Sequence, residues 1–156
     1  MQYNAADKYL RMLRAYGVLE RINTDNGNSI SNTDARDAAE EFFNQCYHFK
    51  DWIKKDASIR VDQDVEEFIN FSSAMQLAAD YCNSLKHAGL DKRSRSGKEI
   101  ERVNTHMKLD LTSRGFVASS RLELMIGGQS YDALATECVR AWDDYLRKNQ
   151  VSFPEP

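Results

Sequence analysis

The chain is short of most features that announce a function. Its apolar runs are only a few residues long, which excludes a membrane-spanning helix. It has two prolines, both in the tail 151–156, so residues 150–156 are expected to fray. Three cysteines, Cys46, Cys82 and Cys138, are an odd number, and each falls at an apolar position of an expected helix. That pattern reads as small core residues rather than a disulfide framework. Walker-type loops, dinucleotide fingerprints and Gly-x-Ser-x-Gly elbows are all missing, which removes the enzyme classes built on them. Metal-ligand spacing is lacking too: Cys46-Tyr47-His48 points its two candidate ligands to different sides of a helix, and Cys82 and His87 have no second pair. No metal and no cofactor are expected. An excess of positive charge is also absent, since a net charge of −3 argues against a general polyanion binder. Met1-Gln2-Tyr3-Asn4 followed by Asp7 does not read as an export signal, and a cytoplasmic protein is expected.

What is present is an ordinary globular composition, 42% hydrophobic and 29% charged over 156 residues, enough for one domain spanning 1–156 with its own core. Residues 4–22 read as a helix with Ala6, Leu10, Leu13 and Gly17 on one stripe and Tyr9, Tyr16 and Leu19 alongside. A polar loop over 23–32 follows, whose Asp25-Asn26-Gly27-Asn28 segment lacks the spacing of a calcium loop. The second helix, about 34–56, starts at a Thr33 or Asp34 cap, with Asp37 in its first turn. It has the clearest seam: Ala35, Ala39, Phe42, Cys46, Phe49 and Ile53 recur in steps of four and three. Phe43, Tyr47 and Trp52 lie off that seam, so more than one face should be covered.

A third helix is expected over 64–87 with Val65, Phe68, Ser72, Met75, Ala79 and Cys82 as its seam, stopped by Gly89. The period then changes from 3.6 to 2. Val103, Thr105, Met107, Leu109 and Leu111 alternate with polar residues, and after Thr112-Ser113-Arg114-Gly115 so do Phe116, Ala118, Ser120, Leu122, Leu124 and Ile126. This is a β-hairpin over about 103–126, ended by Gly127-Gly128. Ser130 is placed to cap a last helix over 131–148, whose inner face is Leu134, Cys138, Ala141, Trp142 and Tyr145. The fold class is therefore mainly α: a four-helix bundle with a β-hairpin inserted between the third and last helices.

Chemistry concentrates at Asn83-Ser84-Leu85-Lys86-His87. Helical spacing puts Asn83, Lys86 and His87 on one face at the end of the third helix. An imidazole exchanges protons near neutral pH, and an ammonium beside it stabilises an anion. The stretch from Lys86 to Lys98 carries Lys86, Lys92, Arg93, Arg95 and Lys98 against a single Asp91, a local cationic loop on a mildly acidic protein. Lys92, Arg93, Arg95 and Lys98 are the candidates for holding phosphate. The same residues also fit a plainer role: His87 and Lys86 near helix-end carbonyls, Asn83 bonding the loop, and a solvated basic loop. His106 falls on the polar face of the first strand and His48 beside the seam of the second helix. The pairs Glu40-Glu41, Glu66-Glu67 and Asp143-Asp144 read as outer helix faces.

With Asn83, Lys86 and His87 late in a helix of a helical core, and a closing helix running from Ala133-Leu134-Ala135 to Trp142, the chain resembles the HEPN superfamily, in particular bacterial proteins with an Asn-x-x-Lys-His motif. The resemblance runs loosely over 34–148. It implies a helical bundle that forms a homodimer around the motif. It also implies an RNA-directed protein of toxin–antitoxin or phage-defence systems, a metal-independent endoribonuclease or its degenerate descendant. Active members place an Arg four to six intervening residues before the His. Here Asn83 stands nearest that place, with three residues between it and His87, and the pair Arg102 and His106 has the same short spacing on a strand. The alternative is a non-catalytic dimeric interaction module, antitoxin-like, a scaffold or an accessory subunit, with a protein partner in place of RNA.

Overall fold

The computed structural model describes the backbone at residues 3–24, 32–86, 95–97 and 101–153, and the side chains there except at 23–24, 32–33, 86, 101–110 and 117–124. The order of elements is α1 (Ala5–Thr24), α2 (Asn32–Lys55), α3 (Val65–Phe71), α4 (Ser73–Lys86), β1 (Glu101–Thr112), β2 (Gly115–Ile126), β3 (Gln129–Ser130) and α5 (Tyr131–Lys148). The expected mainly helical architecture with a hairpin before the last helix is what forms. No described helix is long and apolar enough to cross a membrane.

The core is a helical layer centred on α2. Phe42, Phe43, Cys46, Phe49 and Ile53 are all buried, and Tyr47 joins them from outside the seam, so α2 is covered on more than one face. From α5, Trp142 lies fully buried, packs edge-on to Phe49 at 4.8 Å and meets Phe68 of α3 at 4.9 Å. Its indole N–H donates to the Cys46 carbonyl at 3.1 Å, so the one polar atom of a large apolar side chain is satisfied. All three cysteines are buried and free, in keeping with their reading as core residues.

Several expectations need correction. The third helix is two helices, because Ser72 leaves helical geometry with φ −98° and ψ 114°. Its N–H still bonds the carbonyls of Phe68 and Ile69, closing α3, while its carbonyl accepts from Gln76 N–H and its hydroxyl from Met75 N–H, opening α4. One serine thus caps two helices. Asp64 opens α3 by accepting from the N–H groups of Glu66 and Glu67 at 2.9 and 3.2 Å. The buried stripe of α1 is Ala5, Met12, Ala15 and Leu19 rather than Ala6, Leu10, Leu13 and Gly17, with Tyr9, Leu13 and Tyr16 at its edge. Helix α2 begins at Asn32, which places Thr33 and Asp34 inside its first turn. Ser130 does stand at the cap of α5 but makes no side-chain capping bond, being part of β3.

The tail is ordered further than expected. Val151 N–H bonds the Leu146 carbonyl at 2.9 Å, and the Phe153 ring lies 5.3 Å from Tyr9 and 6.1 Å from Phe49. An aromatic residue with a core slot outweighs the proline-rich composition that follows it. Residues 154–156, like Gly89 and the segment 25–31, lie outside the described residues.

The hairpin pairs antiparallel from Thr112↔Gly115 back to Glu101↔Ile126 without a bulge. Gly127 and Gly128, both at positive φ, then turn the chain into the short β3. Gly127 also marks where the hairpin meets the helices, since a Cβ on it would stand 2.2 Å from Leu77 Cδ2 of α4. Gly127→Ala is therefore expected to cost about 2–4 kcal/mol in a urea melt, from overpacking plus the left-handed backbone. In a Leu77→Ala background the cost should fall towards about 1 kcal/mol, the backbone part alone. Equal cost in both backgrounds would refute the contact.

Candidate functional site

Helix α4 carries the chemistry-bearing end of the bundle, and what fixes it is a carboxylate in the wrong company. Leu77, Ala78, Ala79, Tyr81 and Cys82 are all buried, and so is Asp80, only 1% exposed. A buried carboxylate is tolerated when hydrogen bonds replace its water. Asp80 Oδ1 accepts from the Arg95 N–H at 2.8 Å, and Oδ2 accepts from the Ser96 N–H at 2.8 Å and the Ser96 hydroxyl at 2.6 Å. Gly97 follows at φ +68°, a backbone state that lets the chain turn away directly after the contact. The chain that leaves α4 at Lys86 is thus back against the same helix at Arg95.

Arg95 also has partners for its side chain. One guanidinium nitrogen donates to Asn70 Oδ1 at 3.3 Å and lies 4.0 Å from Glu66, while the other reaches the Tyr47 hydroxyl at 3.5 Å. Glu66 meets two more cations, Lys50 at 2.8 Å and Lys54 at 2.6 Å. Lys50 sits 5.0 Å over the Tyr47 ring and also pairs with Asp51, which His48 approaches at 3.2 Å. Partial burial works to raise the Glu66 carboxyl, but the hydrogen bonds from Lys50 and Lys54 outweigh it and hold the group down at about 2. The polar seam between α2 and α3 is in this way a chain of alternating charges that ends on the Arg95 turn.

The sequence candidates divide sharply. Asn83 lies one helical turn beyond Asp80 on α4 and is half-buried. Ser84 turns its hydroxyl back to the Tyr81 carbonyl at 2.8 Å, and Leu85 packs against the core. Lys86 is the last residue of α4, its side chain outside the described residues, and His87, Lys92, Arg93 and Lys98 lie outside them altogether. Arg95 is brought to the helix that bears Asn83 through its main chain, while its side chain goes to Asn70 and Glu66 of α3 and to Tyr47 of α2. His106 stands opposite Arg121 in the β1–β2 register, its side chain outside the described residues. His48 is half-exposed on α2.

Asp80, Ser96, Asn70 and Glu66 were not singled out by the sequence reading. A lone carboxylate inside Leu77-Ala78-Ala79-Asp80-Tyr81-Cys82 was the available signal. Glu66 was read with Glu67 as an outer face; Glu67 is exposed, whereas Glu66 is drawn into the cation cluster. The cysteines offer no reactive thiol, since burial pushes Cys82 and Cys138 well above the usual thiol range and Cys82 donates to the Phe43 carbonyl. Among the described residues no group of three or more His, Cys, Asp and Glu is arranged to hold a metal ion. Comparison with family models, with curated proteins and with solved structures gives no match for this chain.

Asp80→Ala should destabilise the protein by about 2–3 kcal/mol, because two N–H groups and a hydroxyl lose their acceptor. Amide exchange should show Arg95 and Ser96 losing protection together; retained protection would sink the assignment. Glu66 gives a pH signature. Its folded value of about 2 lies below the ordinary 4.5, so its contribution is present above pH 4.5 and is lost as pH falls towards 2. Because the side chain is a third exposed, the contribution is discounted to about 1 kcal/mol. Urea melts should find Glu66→Gln weaker than wild type by that amount at neutral pH, with the gap closing below pH 4.5.

Proposed function

We propose that this chain is a HEPN-like, RNA-directed protein, a metal-independent endoribonuclease or its degenerate descendant in a toxin–antitoxin or phage-defence setting, acting from the end of α4. The observation that supports the reading is the Asp80 contact. It ties Arg95 and Ser96, inside the cationic stretch from Lys86 to Lys98, to the helix that presents Asn83. On a protein of net charge −3 a local anion site needs cations held close together, and the tether to Asp80 uses the Arg95 main chain, not its guanidinium.

In this reading His87 takes the proton from a ribose 2′-hydroxyl or delivers one to the departing 5′-oxygen. Attack of the 2′-oxygen on phosphorus forms one P–O bond as the bond to the 5′-oxygen breaks. Lys86 stabilises the charge that builds on the phosphorane oxygens, Asn83 orients the group beside it, and Lys92, Arg93 and Lys98 hold flanking phosphates. Arg95, already engaged by Asn70 and Glu66, serves as a positioning residue.

The second reading is a non-catalytic dimeric interaction module. It draws support from the same Arg95, whose guanidinium donates to Asn70 and to the Tyr47 hydroxyl of its own chain. The two readings separate on titrating single-stranded RNA against the protein over a salt series with chelator present. Under the first, binding weakens with salt, and Lys92→Ala and Arg93→Ala each reduce the log–log slope by about 0.7. His87→Ala then leaves binding in place and slows any cleavage by about 100-fold or more, with folding intact by circular dichroism. Absence of salt-dependent RNA binding by the wild type decides for the interaction module.

A further inference from the structure

The β-hairpin is longer than its attachment requires. Strands β1 and β2 run 12 residues each, about 40 Å of ribbon at ~3.3 Å per residue. Among the described side chains, those at the far end of β2, with β3, meet the helices: Ile126 is fully buried and Gly127 lies against Leu77. At the other end Leu111 and Phe116, paired across the tip, are 75% and 78% exposed. The sheet order is β1-β2-β3, so among the described residues β1 is an edge strand along its whole length. Isolated two-stranded ribbons are marginal in water, and long open edges are templates for pairing.

The register says which groups the edge offers. The two-residue turn Ser113-Arg114 makes Thr112 and Gly115 a hydrogen-bonded pair. Even-numbered residues of β1 therefore turn their main-chain N–H and C=O groups to β2, and odd-numbered ones turn theirs to the open edge. A second copy adding antiparallel about a two-fold axis must pair odd with odd, which limits the axis to a single residue. Two registers use nearly the full strand, with the axis at His106 or at Met107. With the axis at Met107, Lys108 stands opposite His106, Asn104 opposite Asp110 and Arg102 opposite Thr112. With the axis at His106, Arg102 stands opposite Asp110 of the second copy and Asp110 opposite its Arg102, both at non-hydrogen-bonded positions of the new pairing. The same register pairs Val103 with Leu109 twice on the apolar face and brings Leu111 of each tip beside Glu101, where the other copy's ribbon begins. Moving the axis to Thr105 or Lys108 sets Arg102 against Lys108 or Lys108 against itself.

We propose that β1 is a self-recognition edge: two copies of this chain join β1 to β1 about a two-fold axis at His106, forming a four-stranded sheet in the order β2-β1-β1-β2. The partner is a second copy because reversing the strand about His106 sets Arg102 against Asp110 twice, Lys108 against Asn104 and Glu101 against Leu111, with no Lys or Arg against another, while His106 meets its own copy at the axis. This assembly does not rest on the RNA reading: the HEPN resemblance implies a homodimer around Asn83, Lys86 and His87, whereas here the contact is β1.

The test is the oligomeric state of the full chain by sedimentation or light scattering at micromolar concentration, where the wild type should run as two chains of 17.9 kDa. Met107→Pro removes an N–H that faces the open edge and is not used by β2, so it should yield a monomer with unchanged helical content. Arg102→Asp and Asp110→Arg each set like charges opposite one another at both ends and should weaken the dimer about tenfold or more, whereas the double variant restores it. Arg102 and Asp110 face Met125 and Val117 within the hairpin, so neither reversal removes an opposing charge from the monomer. A monomeric wild type overturns the proposal. So does a dimer that survives Met107→Pro, which would place the contact on the helices, and so does a double variant no stronger than the singles.

Discussion

Everything that makes the end of α4 specific depends on one buried carboxylate. Asp80 sits among residues that would form a sound helix interface without it, and a carboxylate there is a liability until donors reach it. Those donors come from a turn fifteen residues further along the chain, so folding α4 against α2 leaves an uncompensated charge until Arg95 and Ser96 arrive. The cost of leaving the contact unmade, more than its intrinsic strength, gives it directive power. Local sequence favours only a helix, but desolvation of one side chain dictates where the following loop must return.

The neighbouring charges follow the same logic in a wetter setting. Glu66 is surrounded by Lys50, Lys54 and Arg95, and Lys50 and Arg95 also meet other partners, so the group is a network and not a set of isolated pairs. Exposed pairs contribute little singly. Their use here lies in direction: they run from α2 across α3 to the Arg95 turn and fix the side chain of the residue whose main chain Asp80 holds. Backbone and side chain of one arginine are thereby tied to two different helices, α4 and α3.

Legibility in the sequence tracked how each feature is encoded. The β-hairpin was plain because a period of two over two 12-residue runs has no helical counterpart. The seam of α2 was plain because its residues are large and evenly spaced. In α1 the interface uses Ala5 and Ala15, which carry little periodic signal beside Leu10 and Leu13, so the stripe was read one position out of phase. The break at Ser72 was hidden because a serine fits a helix seam and a double cap equally well. Phe153 was obscured by its prolines. At the site, Asn83 and Arg95 could be named from residue type, but what joins them could not, since Asp80 makes no local pattern with Arg95 or Ser96. Pairwise proximity across a loop is information that composition and spacing do not carry.

The molecule separates its two ends by the way each is fixed. Around Trp142 the helices hold one another through dense aromatic contact, where shape leaves few alternatives. The ribbon is held to them near Gly127, at a point so close that no side chain fits between its backbone and Leu77. Such a joint sets where the ribbon starts, and the outermost apolar rung, Leu111 and Phe116, stands exposed at the other end. A long strand pair in that position is consistent with the chain's other economies only if something else completes it. The loop at Asp80 is completed from within, by the chain's own amides, whereas among the described residues no further strand pairs with the open edge of β1. The buried Asp80 carboxylate is thus answered within the chain, and the open edge of β1 is the place that the proposed second copy would answer.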